Sequence, residues 1–100
     1  MHKLVVLYPA PADPEAFRSH YLGTHLPLVA QLPGLIAHRY SLDVASPEGE
    51  APYFAVFEAD FADAPAMGAA LGSPEGAAVQ ADVPRYATGG AIVMHYPISN

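Results

Sequence analysis

The chain has no cysteine and no tryptophan among its 100 residues, and only four of its residues are lysine or arginine. Without cysteine there is no disulfide, no thiolate metal site and no thiol nucleophile. The absence is compatible with a reducing compartment, and a cytoplasmic location is expected. The four cations, Lys3, Arg18, Arg39 and Arg85, are scattered, and the net charge is −6. Nucleic-acid binding needs a clustered basic footprint, so no nucleic-acid partner is expected. Long apolar runs are missing as well. Leu4 to Leu7 is too short for a secretory h-region or a membrane span, so no membrane association is expected.

Charged residues make up 14% of the chain and hydrophobic residues 52%. One hundred residues suffice for one domain and not for two, so residues 1–100 are read as a single domain. The surface of such a domain has to be kept wet, and 14% charge is low for that task. The apolar excess points to a second buried surface, most simply an interface between two copies.

Leu4-Val5-Val6-Leu7-Tyr8 is a β-branched run closed by Pro9 and Pro11, which predicts a strand ending at Tyr8. Asp13-Pro14-Glu15 predicts a helix start: a capping carboxylate, a proline where no donor is needed, and an acid at the positive end of the dipole. The helix is expected to run toward Thr24. Pro27 would leave the Gly23 carbonyl without its donor and pushes Leu26 toward an extended conformation, so a break is expected near His25 and a restart over 27–31. Residues 35–44 read as a strand, Ser46 to Glu50 as a turn, and 53–60 as a second strand, together a hairpin. Asp63 predicts the cap of a helix over 64–71, with Gly72 in the left-handed position. Ser73-Pro74-Glu75 restarts a helix that ends before Pro84, and 91–96 is the last strand. Ser-Pro-Glu-Gly occurs at 46–49 and 73–76, with opposite roles expected, turn and helix start.

The order β-α-β-β-α-β is that of a ferredoxin-like α+β fold with a four-stranded antiparallel sheet. Two helices cover one sheet face. The charge-poor strands make face-to-face pairing of two sheets the expected fate of the other, so a homodimer through the sheet faces is predicted.

Phe17, Tyr21 and His25, spaced i, i+4, i+8, line one face if the helix persists. Two readings of His25 stand. It donates to an orphaned carbonyl at the break, or it reaches a cavity between helix and sheet as a general acid/base. Tyr8, Tyr21, Tyr40 and Tyr53 bring hydroxyl-tipped rings that can share that space, and buried hydroxyls need partners. The candidate catalytic residue is therefore His25, and Phe17, Tyr21, Tyr40 and Tyr53 are the candidate binding residues for a small hydrophobic ligand. Glu58 is expected to need a partner such as Arg39 or a histidine if it faces inward and to be a solvated or interface group if it faces outward, and a structural hydrogen-bonding role is the favoured reading. No metal site is expected. His20 and His25 are i, i+5, which does not stack on an α-helix, and His38 and His95 can meet only through sheet geometry. No nucleophile elbow and no nucleotide fingerprint is present, so no cofactor is expected.

Residues 4–9, Phe17-Arg18-Ser19-His20-Tyr21, Thr24-His25-Leu26-Pro27-Leu28, Leu32-Pro33-Gly34-Leu35, Arg39-Tyr40 and Pro52-Tyr53 resemble, in order and spacing, the pattern of the EthD family: a strand, a helical F-x-x-x-Y and an H-x-P-L. Glu58, Phe61, Ser73 to Gly76 and Ala87 to Gly90 continue the resemblance over nearly the whole chain. It implies a ferredoxin-like fold that dimerises into an α/β barrel, with His25 at the wall of a pocket. The family takes its name from a protein linked to degradation of a branched alkyl ether. Relatives carry oxidoreductase labels, and related fungal domains act as decarboxylases or dehydratases on aromatic polyketides. The implied activity is a cofactor-independent oxidoreductase- or lyase-type step on a small apolar or aromatic compound. The alternative is a non-catalytic protein that holds such a metabolite for a partner enzyme. Fold alone does not choose between them.

Overall fold

Prolines mark where the first strand stops and the first helix starts. The computed structural model describes residues 1–99. Strand β1, His2–Tyr8, ends at Pro9. Helix α1, Pro14–His20, starts where the Asp13 carboxylate accepts the Ala16 N–H at 3.1 Å. The expected break near His25 does not form. The chain instead passes through one wide turn of π-helix, Tyr21–His25, straight into α2, Leu26–Val29. Leu26, expected to be extended, is helical at φ −59°, ψ −40°. Its N–H donates to the Tyr21 carbonyl, five residues back. Pro27 has no N–H for the preceding turn. Widening that turn by one residue carries the helix past the proline without ending it.

Strand β2, Ala37–Ser41, is shorter than the expected 35–44. The 42–54 connection holds a small ribbon, β3 Ala45–Ser46 and β4 Gly49–Glu50, around the expected Ser46–Gly49 turn. Gly49 there has φ +116°, a conformation that side chains resist. Strand β5, Ala55–Phe61, pairs antiparallel with β2, which is the expected hairpin. Helix α3, Ala64–Leu71, is capped by Asp63, which accepts the Ala66 N–H at 2.8 Å. Gly72 was expected in the left-handed region and is right-handed instead, at φ −83°. Ser73 at once caps α4, Pro74–Asp82, by accepting the Gly76 N–H, so the chain swings into a new helix and needs no reversal. A short 3₁₀ turn, Val83–Arg85, absorbs Pro84. Strand β6, Ile92–Pro97, closes the fold.

The sheet runs β2-β5-β1-β6, antiparallel throughout. The fold is thus ferredoxin-like α+β. Side chains alternate between the faces. Leu4 and Tyr8 of β1, with Ala55, Phe57, Ala59 and Phe61 of β5, join Phe17, Tyr21 and Val29 from the helices in the core. The opposite face carries Lys3 and Val5 beside Glu58 and Asp60, flanked by Arg39 and by Met94 and Tyr96. Glu58 takes Lys3 Nζ at 2.7 Å and Arg39 Nη1 at 3.6 Å, so the expected arginine is present but a lysine is nearer. Every described residue of β6 is exposed, Met94 by 45% and Tyr96 by 44%. Among the described residues no helix is long and apolar enough to cross a membrane.

Candidate functional site

The wide turn decides which side chains meet. In an α-helix, positions i and i+5 diverge. In the Tyr21–His25 turn the repeat is close to that interval, because its hydrogen bond spans five residues. His20 and His25 therefore lean to the same side, and both reach Asp82 at the C-terminal end of α4. His20 Nε2 lies 2.8 Å from Asp82 Oδ1 and 3.0 Å from Oδ2. His25 Nδ1 lies 2.9 Å from Oδ2.

The charge state of this group follows from burial and partners. The Asp82 and His25 side chains are each 4% exposed, whereas the His20 side chain reaches solvent at 27%. Burial would push the Asp82 carboxyl up, but hydrogen bonds from His20 and His25 outweigh it and hold the group below its ordinary value of 3.8. Burial pushes His25 below its ordinary 6.5, against the opposing pull of Asp82, so the imidazole is neutral near pH 7. A carboxylate only accepts, so the ring's one proton sits on Nδ1 and is donated to Asp82. Nε2 keeps a lone pair and has no hydrogen-bond partner among the described residues.

His25 forms part of the wall of a cavity of about 140 Å³. Leu4 and Val6 of β1, Phe57 of β5, Val29 of α2 and Val79 of α4 are among its apolar lining residues. The pairing of Nδ1 with Asp82 leaves Nε2 as the uncommitted nitrogen of this cavity-lining ring.

The five residues singled out from sequence do not form one pocket. Phe17, Tyr21 and His25 do share a helix face: Phe17 stacks on Tyr21 at 5.5 Å between ring centroids, and Tyr21 on His25 at 5.4 Å. Phe17 and Tyr21 are fully buried core side chains behind the cavity wall. Tyr40 touches the edge of the Tyr21 ring at 5.8 Å and is 43% exposed. Tyr53 lines a separate surface groove of about 430 Å³, with Arg18, Asp43 and Phe54, beside the β3–β4 ribbon. Of the five, His25 alone lines the cavity.

Three residues of the site were not singled out. Asp82 has no local motif to mark it. α-Helical spacing separates His20 from His25, and only the wide turn makes i, i+5 a convergent pair. Tyr86 packs 4.7 Å from His25 and stacks on His20 at 5.6 Å, and its hydroxyl meets that of Tyr8 at 2.8 Å. Burial pushes the Tyr8, Tyr21 and Tyr86 hydroxyls up, so all three stay protonated. The Tyr21 hydroxyl is buried near that of Tyr8 but without hydrogen-bond geometry to any group among the described residues. Elsewhere, His2 Nε2 and His95 Nδ1 come within 2.9 Å of each other. His38 lies across two intervening strands from His95. Among the described residues no cluster of three or more histidine or acidic side chains is arranged to hold a metal ion.

Known proteins share this arrangement of elements. A family model described as the EthD domain matches residues 10–90. An uncharacterised 11.0 kDa protein from the thcB-thcC intergenic region of Rhodococcus erythropolis is 35% identical over 96 residues, covering 94% of this chain and 91% of that one. The crystal structure of an EthD family protein from Bacillus halodurans superposes with a TM-score of 0.93 at 32% identity, covering 99% of each chain. A dimeric ferredoxin-like protein of unknown function from Thermobifida fusca shares the fold, with a TM-score of 0.75 at 14% identity over 97% of this chain and 90% of that one.

Proposed function

The chain belongs to the EthD family, and from that premise we propose that it transforms a small, largely apolar organic molecule by proton transfer at His25. The observation that carries the reading is the 2.9 Å contact between His25 Nδ1 and Asp82 Oδ2 behind an apolar cavity. The carboxylate fixes the tautomer, so the basic nitrogen is the one left for a cavity occupant. When Nε2 takes a proton, the resulting imidazolium is stabilised by Asp82, already ionised. Apolar walls keep water from competing for that proton. The step is an abstraction or a return of a proton, of the kind that isomerisations and eliminations use, and no cofactor enters it. Asp82 is a positioning residue in this reading, and the ring stack of Phe17 and Tyr21 fixes the plane of the imidazole.

One observation favours a second reading, a non-catalytic carrier of the same class of compound. The cavity has little besides His25 to stabilise developing charge on an occupant. A substrate screen separates the two. Turnover that falls at least a hundredfold in His25→Ala supports the proton-transfer reading. Equal turnover in the variant overturns it, and a ligand retained from expression without any product favours the carrier.

Structural neighbours described as dimeric support a homodimer. We place its interface on the open sheet face, where Ile92, Met94 and Tyr96 are exposed on one side of β6.

A further inference from the structure

The cavity has a polarity of its own, which follows from which hydrogen-bonding atoms around it are already committed. His25 gives its only proton to Asp82, so Nε2 can only accept. Gln80, the other polar residue at this wall besides Tyr8, donates its amide Nε2 to the carbonyls of Leu71 at 2.9 Å and Gly76 at 3.1 Å. Any bond from Gln80 to an occupant must then run through Oε1, a second acceptor. The Tyr8 hydroxyl shares a 2.8 Å hydrogen bond with that of Tyr86. No lysine or arginine lines the cavity, and the nearest ionised group behind His25 is the Asp82 carboxylate.

We infer that the cavity selects an uncharged molecule that presents an O–H or N–H donor on a compact apolar body, and that it rejects carboxylates and other anions. A donor satisfies the His25 lone pair. A carboxylate would meet the lone pairs of His25 Nε2 and Gln80 Oε1, with no cation to offset its lost hydration. Size points the same way. A dry apolar cavity of about 150 Å³ holds benzene, so a volume of about 140 Å³ suits a monocyclic phenol or a short branched alcohol. This inference rests on the site proposed above and names its ligand class.

Three matched probes test it at pH 7: phenol, which is un-ionised there, toluene, which has the shape without the donor, and benzoate, which is an anion. Binding is followed by titrating isotopically labelled protein and observing the imidazole nitrogens. Phenol is expected to bind about fivefold more tightly than toluene, the value of one net hydrogen bond, and benzoate not to bind. The His25 Nε2 resonance is expected to move upfield with phenol and to stay put with toluene. In His25→Phe the preference for phenol over toluene is expected to vanish. The wild-type resonance carries the test if that variant does not fold. Benzoate binding as tightly as phenol, equal binding of phenol and toluene, or binding of none of the three overturns the inference. Phenol bound at Nε2 with no substrate turned over would sink the proton-transfer reading and leave the ligand class intact.

Discussion

His20 and His25 are five residues apart and hydrogen-bond one carboxylate, that of Asp82, at 2.8 Å and 2.9 Å. On an α-helix these rings would point more than a quarter turn apart. The wide turn over Tyr21–His25 brings them together, and Pro27 is the reason for the turn. A residue that cannot donate one backbone hydrogen bond has thereby arranged two imidazoles around a buried charge.

Asp82→Asn tests what that charge does. The amide offers either its oxygen or its nitrogen to His25, so the imidazole tautomer is no longer dictated. If the proton-transfer reading holds, turnover should fall by about 10²- to 10⁴-fold, the span associated with losing such an acid/base group or its orienting carboxylate. Stability should also drop by about 1–3 kcal/mol, the usual cost of a spoiled buried charged hydrogen bond. Nitrogen shifts of His25, read beside a melting curve, separate the two effects. An unaltered tautomer with full turnover would remove Asp82 from the site.

Acid should unfold the chain in two stages. His25 has a folded pKa below its ordinary 6.5, so the unfolded chain takes up that proton more readily. Its contribution is intact above 6.5 and is lost as pH falls through the lower folded value. Asp82 is also depressed, from 3.8, so its contribution is present above that pH and disappears as the carboxylate protonates below it. Melting temperature measured against pH should decline below about 6.5 and again below about 3.8. Asp82→Asn should abolish the lower stage. A flat profile between 7 and 4 would contradict the neutral, buried assignment of His25.

Tyr21→Phe should stabilise the fold or leave it unchanged. The hydroxyl is buried without a partner, and such a group costs about 1–3 kcal/mol relative to a satisfied one. The ring, stacked between Phe17 and His25, is unchanged by the substitution. Chemical denaturation checks this, and a loss of more than 1 kcal/mol would mean that the hydroxyl is bonded.

Gly76→Ala should destabilise by about 1–3 kcal/mol, the range for overpacking. A Cβ at Gly76 would run into the backbone oxygens of Ala70 and Leu71, which belong to α3 and cannot rotate away. Gly68→Ala, where a Cβ meets open space, is the matched control and should gain a few tenths of a kcal/mol from helix propensity. Equal melting temperatures for the two variants would contradict the tight α3–α4 junction.

Met94→Glu should convert the proposed dimer to a monomer in sedimentation. It places an acid on the sheet face that already carries Glu58 and Asp60, one strand away from them. A dimer of unchanged affinity would move the interface elsewhere.

The element order was legible because each start carries its own signal. Asp13, Asp63 and Ser73 all act as caps where the sequence places them. The two copies of Ser-Pro-Glu-Gly were separable by their flanks alone. The site was only half legible. His25 could be picked out because a proline two residues on disturbs the local backbone. Asp82 could not, since it arrives from 57 residues away and depends on how α4 packs. Tyr53 lies elsewhere because it precedes β5, in the stretch that follows the β3–β4 ribbon, and its ring lines the groove beside that ribbon. Gly72 misled for a similar reason. A glycine after a helix usually reverses the chain, whereas here Ser73 had already begun the next one.

The wide turn lets a spacing of five residues do what four do on an ordinary helix. Removing one residue, Gly23 for instance, would make His20 and His25 an i, i+4 pair, which an α-helix already places on one face. The upstream register, with Phe17 and Tyr21 in the core, would be nearly kept. The chain thus carries one residue of slack at this point: the count between the two histidines can change by one while the side to which they point does not.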